Sequence, residues 1–314
     1  MLALASFGYL VVRADTTKPT SETSSSVIIS NASPTPENQS SPSSSPEPEK
    51  TPVEQIIYAF SAPTGEVIAY NLTQKNSQII TRGPGSGYLE VVYSSSDSII
   101  ATRARENTDL MGAVVDLVLF PKAGSAQATV LAESVSSVQP PSVSSDRSAY
   151  LTVQFNQNAQ GASFDLMKNS LGNSGPSILA QEQEGILFPQ WSGDASAVYY
   201  IAPSNSQYLL KRVPTTPADP IVLKTFTQPV RALRVTGERV LVSFKVTDLK
   251  TSVQTFSLTG QLLKDYGEFD RIFSDAHETP TGLLNISRAK IDTPTTLFLN
   301  NTTLGPATNI LNIQ

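Results

Sequence analysis

From Val53 onward, short runs of apolar residues alternate with clusters of turn-forming residues. The runs are rich in Val, Ile, Tyr, Phe and Thr, which favour β-strands. Examples are GEVIAYNL, AYLTVQF, SAVYYIA and RVLVSF. No long segment keeps the 3.6-residue period of an amphipathic helix. The pattern therefore predicts an all-β domain over residues 53–314.

Five turns recur along this domain at similar intervals. Each follows a hydrophobic anchor with a Ser or Thr; the anchors are Tyr93, Val143, Trp191, Val235 and Phe273, spaced 50, 48, 44 and 38 residues apart. A period of about 40 to 50 residues with several strands per repeat is typical of β-propeller blades. We expect each anchor to end the innermost strand of its blade. The Ser or Thr and a nearby acid then hydrogen-bond the backbone of the turn.

Counting these repeats predicts six blades, with seven as the alternative. The first blade spans Ile56–Thr81, four more begin near Leu89, Pro140, Pro189 and Val230, and the last begins at Phe269. The first blade shows only three strands, which would leave an exposed sheet edge. We expect the C-terminal segment Thr308–Ile313 to pair with a strand of residues 53–81 and close the ring. Completion of the sixth blade alone is the alternative.

The repeat around the single tryptophan reads Pro-Gln-Trp-Ser-Gly-Asp-Ala at 189–195. It resembles the Pro-x-Trp-Ser-Pro-Asp-Gly repeat of TolB-type β-propellers, with Trp191, Ser192 and Asp194 in the matching positions. Gly193 and Ala195 replace the Pro and Gly of that repeat. The resemblance implies a propeller of six to eight blades and no particular activity. We expect Trp191 to be a core residue between blades, with a ligand platform as the alternative.

The N-terminal region differs in composition from the rest of the chain. Residues 1–13 are mostly apolar and resemble a signal peptide or the remnant of a membrane anchor; a short strand is the alternative. Residues 14–52 are rich in Ser, Thr, Pro and Glu, a composition that cannot bury enough apolar surface to fold, and are predicted to form a disordered stalk. These features predict an extracytoplasmic protein held at the membrane through its N-terminus.

Composition excludes several kinds of chemistry. The chain has no cysteine, which removes disulfides and thiolate sites and, for an exported protein, favours a bacterial source. Its net charge is −5 and it has no basic run, so we expect no nucleic-acid partner. His277 is the only histidine, and we expect it to be a solvated turn residue beside Asp275. There is no Gly-x-Ser-x-Gly motif, and we expect no cofactor and no metal site.

Residues entering an inner strand tend to line the central channel of a propeller, where ligands bind. By the repeat alignment these are Tyr88, Gln190, Arg231, Arg234 and Arg271, with the three arginines at or near the starts of inner strands in the last two blades. Arginines there would suit a carboxylate or another anion. The alternative is that they are exposed and paired with nearby acids at 265, 268 and 270.

The function that these features favour is a non-enzymatic, extracytoplasmic binding or scaffold propeller, tethered to the cell envelope. Its partner would be a protein or another cell-envelope component, and we expect a monomer. The alternative is an enzyme, a propeller hydrolase or lyase that uses acids in the channel.

Overall fold

The computed structural model describes residues 56–61, 66–82, 88–94, 98–104, 113–121, 128–158, 161–172 and 174–313. The predicted signal or anchor segment and the predicted stalk lie outside these residues. The regular elements of the described part are all β-strands, and no helix there has the length and apolarity needed to cross a bilayer.

Within the described residues the strands form six four-stranded antiparallel sheets, the blades of a β-propeller. Blade 1 contains β1 (Ile56–Ser61), β2 (Glu66–Asn71) and β3 (Asn76–Arg82). Blade 2 contains β4 (Tyr88–Ser94), β5 (Ser98–Ala104), β6 (Ala113–Pro121) and β7 (Thr129–Ser137). Blade 3 contains β8 (Ser142–Val143), β9 (Ala149–Asn158), β10 (Gly161–Ser170) and β11 (Ser177–Glu182).

The second half of the ring repeats this order. Blade 4 contains β12 (Leu187–Trp191), β13 (Ala197–Ser204), β14 (Gln207–Pro214) and β15 (Ile221–Phe226). Blade 5 contains β16 (Val230–Thr236), β17 (Arg239–Lys245), β18 (Thr251–Ser257) and β19 (Leu262–Phe269). Blade 6 contains β20 (Ile272–Thr279), β21 (Gly282–Arg288), β22 (Thr296–Leu299) and β23 (Thr302–Pro306). The predicted six blades and their starts are confirmed to within three residues.

The C-terminal strand β24 (Asn309–Ile313) closes the ring by joining blade 1. It pairs antiparallel with β1, with Ile313 opposite Ile57 and Asn309 opposite Phe60. The preceding Thr308 N–H donates to the Phe60 carbonyl at 2.6 Å. The innermost strands β24, β4, β8, β12, β16 and β20 then lie side by side in a closed circle. The predicted closure through the C-terminus is confirmed, and the first blade gains its fourth strand.

The described apolar core divides into six clusters, one in each interface between neighbouring blades. We call such an interface a seam and name it by its two blades. Trp191 is 8% exposed and belongs to the cluster of the 3/4 seam, where its Nε1–H donates to the Ser142 carbonyl at 2.9 Å. The predicted core role of this tryptophan is confirmed.

The turn chemistry predicted for the repeat is present in blades 3 and 4. Ser192 Oγ donates to Asp194 Oδ1 at 2.6 Å and accepts from the Ala197 N–H at 2.9 Å. Asp194 also accepts from the Ser196 N–H at 3.0 Å. These hydrogen bonds, first of all the one from Ser192, lower the pKa of Asp194 to about 2. Ser144 and Asp146 make the corresponding bonds in blade 3.

In the last two blades the repeat departs from the prediction. Val235 pairs with Val240 across a short turn, whereas Trp191 in blade 4 pairs with Val198 across a longer one. Phe273 lies at the start of β20, not at the end of the strand, so its assignment as an anchor is wrong. The turn that ends β20 runs through Pro280 to Gly282, and its Thr279 Oγ1 donates to the Gly282 carbonyl at 2.8 Å. Thr279 therefore takes the position that serine holds in blades 3 and 4.

Candidate functional site

The 5/6 seam combines a small apolar core with many charged and polar side chains. Its buried apolar residues are Leu241, Val253, Phe273, Ala276 and Leu283. The two inner strands, β16 and β20, lie side by side along this seam. Side chains near the ends of these two strands can therefore contact one another across the seam.

A cleft of about 450 Å³ opens at the end of the seam where β16 and β20 turn back. Its walls come from both blades, because the turn after β16 and the turn after β20 flank it. It is lined by Arg234, Thr236, Gly237, Glu238, Arg239, Leu241, Thr255, Glu278, Thr279 and Pro280. The lining is mixed, with charges of both signs, three hydroxyl groups and two apolar side chains.

An ion pair joins the two inner strands beside the cleft. The Arg234 guanidinium donates through Nη2 to Asp275 Oδ2 and through Nε to Oδ1, the latter at 3.3 Å. The side chains are 22% and 11% exposed, so the pair is largely removed from water. Asp275 Oδ1 also accepts from the Ala276 N–H at 2.9 Å. A guanidinium bound through two nitrogens fixes the carboxylate in one orientation.

A second carboxylate of β20 is also held by an arginine of blade 5. Glu278 lies 2.7 Å from the Arg239 guanidinium and 4.0 Å from Lys264 Nζ, both in blade 5. Burial alone would raise the pKa of Glu278. The close contact with Arg239 and the charges of Arg239 and Lys264 outweigh burial, so the pKa is lowered. Glu278 is thus held as a carboxylate.

His277 lies between these two acids in sequence and is buried within β20, 6% exposed. Its Nδ1 is 3.4 Å from Thr236 Oγ1. Burial, aided by the charge of Arg234, lowers its pKa to about 3, so the imidazole is neutral at physiological pH. The prediction of a solvated turn histidine is wrong, because the turn begins three residues later than the sequence suggested. Asp275 binds Arg234, so no Ser-His-Asp relay is assembled here.

In the described part of the chain, buried side-chain nitrogen and oxygen atoms without a hydrogen-bond partner concentrate in blades 5 and 6. They include Ser243 Oγ, Thr255 Oγ1, His277 Nε2, Asn285 Nδ2, Arg231 Nε and Arg271 Nη1. Such atoms are rare in folded proteins, because an unpaired buried polar group costs about 1–3 kcal/mol. Their concentration in one region marks the 5/6 seam as a functional candidate.

The residues predicted to rim the channel fall into two groups. Tyr88 is the first residue of β4, Arg231 is the second of β16, and Arg271 directly precedes β20. Gln190 and Arg234 instead lie near the ends of β12 and β16, one residue before the anchor of each blade, so the placement of Arg234 near the start of its strand was wrong. Ligand binding by all five stays a prediction.

The alternative pairing predicted for the arginines is not what the described residues show. Arg234 binds Asp275, Arg231 donates to two backbone carbonyls, and Arg271 stacks on the ring of Phe298. The acid at 270 pairs instead with Lys250 at 3.0 Å.

Sequence reasoning missed the functional candidates Glu278 and Arg239. Arg239 directly follows the turn after β16, and Glu278 lies two residues before the turn after β20. Charged side chains are common at such positions. Their pairing depends on the neighbouring blade and has no local signal. Among the described residues no group of three or more His, Asp or Glu side chains is placed to hold a metal ion.

Comparison with known structures agrees with this architecture. The fold is that of a six-bladed β-propeller. TolB from Acinetobacter baumannii superposes with a TM-score of 0.55 at 9% identity, over 83% of this chain and 65% of that one. A protein assigned as TolB in Agrobacterium tumefaciens gives 0.56 at 11% identity, over 81% and 91%. A chain of the nidogen/laminin complex gives 0.53 at 8% identity, over 83% and 97%.

At this level of sequence identity, the comparisons show a similar fold and nothing more. This chain spans 65% of the length of the Acinetobacter protein, just under two thirds. No family model matches the sequence, and no curated protein matches it significantly.

Proposed function

We propose that this chain is a non-enzymatic binding or scaffold propeller that acts outside the cytoplasm. In this proposal residues 1–13 attach it to the cell envelope and residues 14–52 serve as the stalk. The propeller acts as a monomer and binds a protein or another envelope component in the cleft of the 5/6 seam. The names of its structural neighbours are compatible with such a role, since one of them is a complex of two proteins.

The observation that carries this proposal is the state of the two carboxylates on β20. Asp275 and Glu278 are each bound by an arginine of the neighbouring blade. Acid–base catalysis needs a carboxyl group whose pKa is tuned towards the working pH, whereas Glu278 is shifted in the opposite direction. Fixed, oppositely charged groups around a cleft instead provide a preorganised surface that selects a partner by charge and shape.

The test uses a photo-reactive amino acid placed at Glu238, an exposed residue of the cleft wall, in the full chain expressed in its native cells. The control position is Asp219, an exposed acid in the loop before β15. We expect one defined adduct from position 238 and none from 219. The captured partner is then titrated against the purified chain, where Glu238→Lys should weaken binding at least about tenfold and Asp219→Lys should leave it unchanged.

Two results would contradict the proposal. One is equal cross-linking from both positions, which would indicate no selectivity for the cleft. The other is turnover of esters, lactones or peptides by the purified chain that is lost in Asp275→Asn, which would establish the hydrolase or lyase alternative. Protease treatment of intact cells tests the location separately, since an extracytoplasmic propeller is accessible to added protease.

A further inference from the structure

The cleft of the 5/6 seam carries no net charge, although four of its lining residues are ionised. Its two arginines are balanced by two glutamates, the four being Arg234, Arg239, Glu238 and Glu278. Behind the lining, Lys264 lies 4.0 Å from Glu278, and Asp275 is bound to Arg234. This lysine and this aspartate add one charge of each sign. An anion or a cation entering the cleft would therefore leave an unbalanced charge, whereas a neutral ligand would not.

Two of the charged groups, Glu238 and Arg239, are neighbours at the point where the chain enters β17. The Arg239 side chain is 55% exposed and contacts Glu278 through Nη1 at 2.7 Å. That contact uses one nitrogen of the guanidinium, so the other N–H groups are left to donate to a ligand. Glu238 is exposed, and its carboxylate has no ion pair within the described residues. Donors and acceptors are therefore both offered at the same wall of the cleft.

Hydroxyl groups continue this mixed character towards the inside of the cleft. Thr255 is fully buried, and its Oγ1 has no hydrogen-bond partner in the described part of the chain. Thr279 Oγ1 donates to the Gly282 carbonyl at 2.8 Å and keeps a lone pair to accept. An unpaired buried hydroxyl is unfavourable. A ligand group that both donates and accepts would pair with either threonine.

A sugar carries the chemical groups that match this lining. Each sugar hydroxyl donates one hydrogen bond and accepts others without carrying a charge. Two hydroxyls on adjacent ring carbons present a pair of oxygens to the planar fork of a guanidinium, much as a carboxylate does. Their protons can be donated to a carboxylate such as Glu238. The C–H faces of the ring can pack on Leu241 and Pro280, the apolar residues of the lining. The cleft volume of about 450 Å³ is in the usual range for small-ligand sites.

We propose that the cleft of the 5/6 seam binds a neutral saccharide, with Arg239 and Glu238 holding adjacent hydroxyl groups and Thr255 pairing with a third. This inference rests on the proposed binding function and names the chemical class of the ligand. The saccharide is either free or a unit of an envelope polysaccharide. An acidic or basic peptide is the occupant that the charge balance disfavours.

The experiment measures saccharide binding to the purified full chain. Maltose, cellobiose and chitobiose are titrated by ligand-observed NMR, with triglutamate and trilysine as the charged comparators. We expect at least one disaccharide to bind at least about tenfold more tightly than either peptide. Its affinity should change less than about twofold between about 50 mM and about 500 mM sodium chloride, because no charge is paired on binding. Sedimentation with cellulose and chitin shows whether the saccharide is also bound within a polymer.

The variants separate hydrogen-bonding geometry from charge. Arg239→Lys keeps the positive charge beside Glu278 but loses the planar fork, so it should weaken saccharide binding at least about tenfold. Glu238→Ala removes the acceptor and should have a similar effect. The matched controls are Arg147→Lys, in the corresponding turn of blade 3, and Asp219→Ala, before β15. Both are exposed positions outside the cleft and should leave binding unchanged. The melting temperature without ligand shows that each variant is folded.

Saccharide binding no tighter than peptide binding, or unchanged binding in a folded Arg239→Lys chain, would overturn this inference. Such a result leaves the proposed function standing if position 238 still cross-links to a defined partner. Equal cross-linking from positions 238 and 219 would instead overturn the proposed function itself.

Discussion

The 3/4 and 5/6 seams each fill the space between two neighbouring blades, but they do so with different side chains. In the 3/4 seam, Trp191 and Tyr200 pack with aliphatic residues of both blades, such as Leu151 of blade 3 and Val198 of blade 4. The half-buried Glu182 accepts from Tyr200 at 2.7 Å and from Lys211 at 2.7 Å. In the 5/6 seam the apolar cluster is smaller, and ion pairs, a neutral histidine and unpaired hydroxyl groups fill the remaining space.

The two seams differ in how much their side chains contribute to the stability of the fold. Apolar burial stabilises by roughly 25 cal/mol per Å² and needs no exact partner. The apolar 3/4 seam therefore stabilises the ring without any contribution from a bound ligand. A buried ion pair with unpaired neighbours contributes little net stability. The presence of such groups in the 5/6 seam is therefore consistent with the recognition role proposed for it.

The largest expected effect comes from removing the anchor of the apolar seam. Trp191→Ala should lower the free energy of unfolding by about 3–5 kcal/mol, because it empties a large buried volume. Urea unfolding followed by circular dichroism measures the loss. In the native protein, the fluorescence of the single tryptophan should be blue-shifted relative to the unfolded chain.

Trp191→Phe serves as the control for this seam. It keeps most of the apolar volume and loses the hydrogen bond to the Ser142 carbonyl, so it should cost about 1–2 kcal/mol. A native emission spectrum like that of free tryptophan, or an alanine variant as stable as the parent, would mean that Trp191 is not in the core.

The second largest effect concerns the ion pair of the polar seam. Asp275→Asn leaves the Arg234 charge largely buried without its counter-charge. We expect a loss of about 2–3 kcal/mol, below the range for fully buried pairs because Arg234 keeps 22% of its side chain exposed.

The double variant Arg234→Met/Asp275→Leu sharpens this contrast. It removes both charges and should regain most of the lost stability, since hydrophobic replacement of a buried pair is often neutral. If the double variant were as unstable as Asp275→Asn alone, the pair would be a stabilising element, and the distinction between the two seams would fail.

The fold could be predicted from the sequence because its signals are local. Alternating apolar residues indicate strands, and the turn after Trp191 carries its own hydrogen-bonding residues in Ser192 and Asp194. The spacing of such turns gave six blades. Phe273 was misplaced as an anchor because Phe-Ser-Asp matches the repeat by composition, while the strand irregularity between Phe273 and Asp275 cannot be seen in one sequence.

The candidate sites could be predicted only in part. Repeat alignment brought Arg231 and Arg271 to the starts of inner strands, as observed. It could not show that Glu278 meets Arg239, because that contact depends on how two neighbouring blades pack. Nor could it show the burial of His277, which follows from where β20 ends.

The third prediction uses His277 to report on the polar seam. The pKa of this histidine is about 3 when folded and about 6.5 when unfolded. Protons therefore bind the unfolded state first, and stability is complete above pH 6.5 and falls as the pH decreases towards 3. Between pH 7 and pH 5 the loss should be about 2 kcal/mol.

His277→Gln removes the titrating group and provides the control. Because other acids titrate equally in both proteins, the difference in unfolding free energy between parent and variant isolates the histidine. That difference should change by about 2 kcal/mol between pH 7 and pH 5. A constant difference would mean that the histidine is protonated equally in both states and is exposed.

The smallest effect lies in the turns that close the two seams. Ala195 follows Trp191 in the left-handed region with φ 56°, where a side chain is strained, whereas the turn after β16 has Gly237 at φ 55°. Ala195→Gly should relieve that strain and stabilise by about 0.5–1 kcal/mol after the entropy of glycine is subtracted. Ala218→Gly is the matched control, because Ala218 is exposed and its φ is not positive, so the same change should destabilise slightly. Thermal unfolding of the two variants should therefore move in opposite directions from the parent. If both lowered the melting temperature, the hydrogen bonds of Ser192 and Asp194 would already hold the turn without measurable strain, and the 3/4 seam would be as well adapted at its turn as in its core.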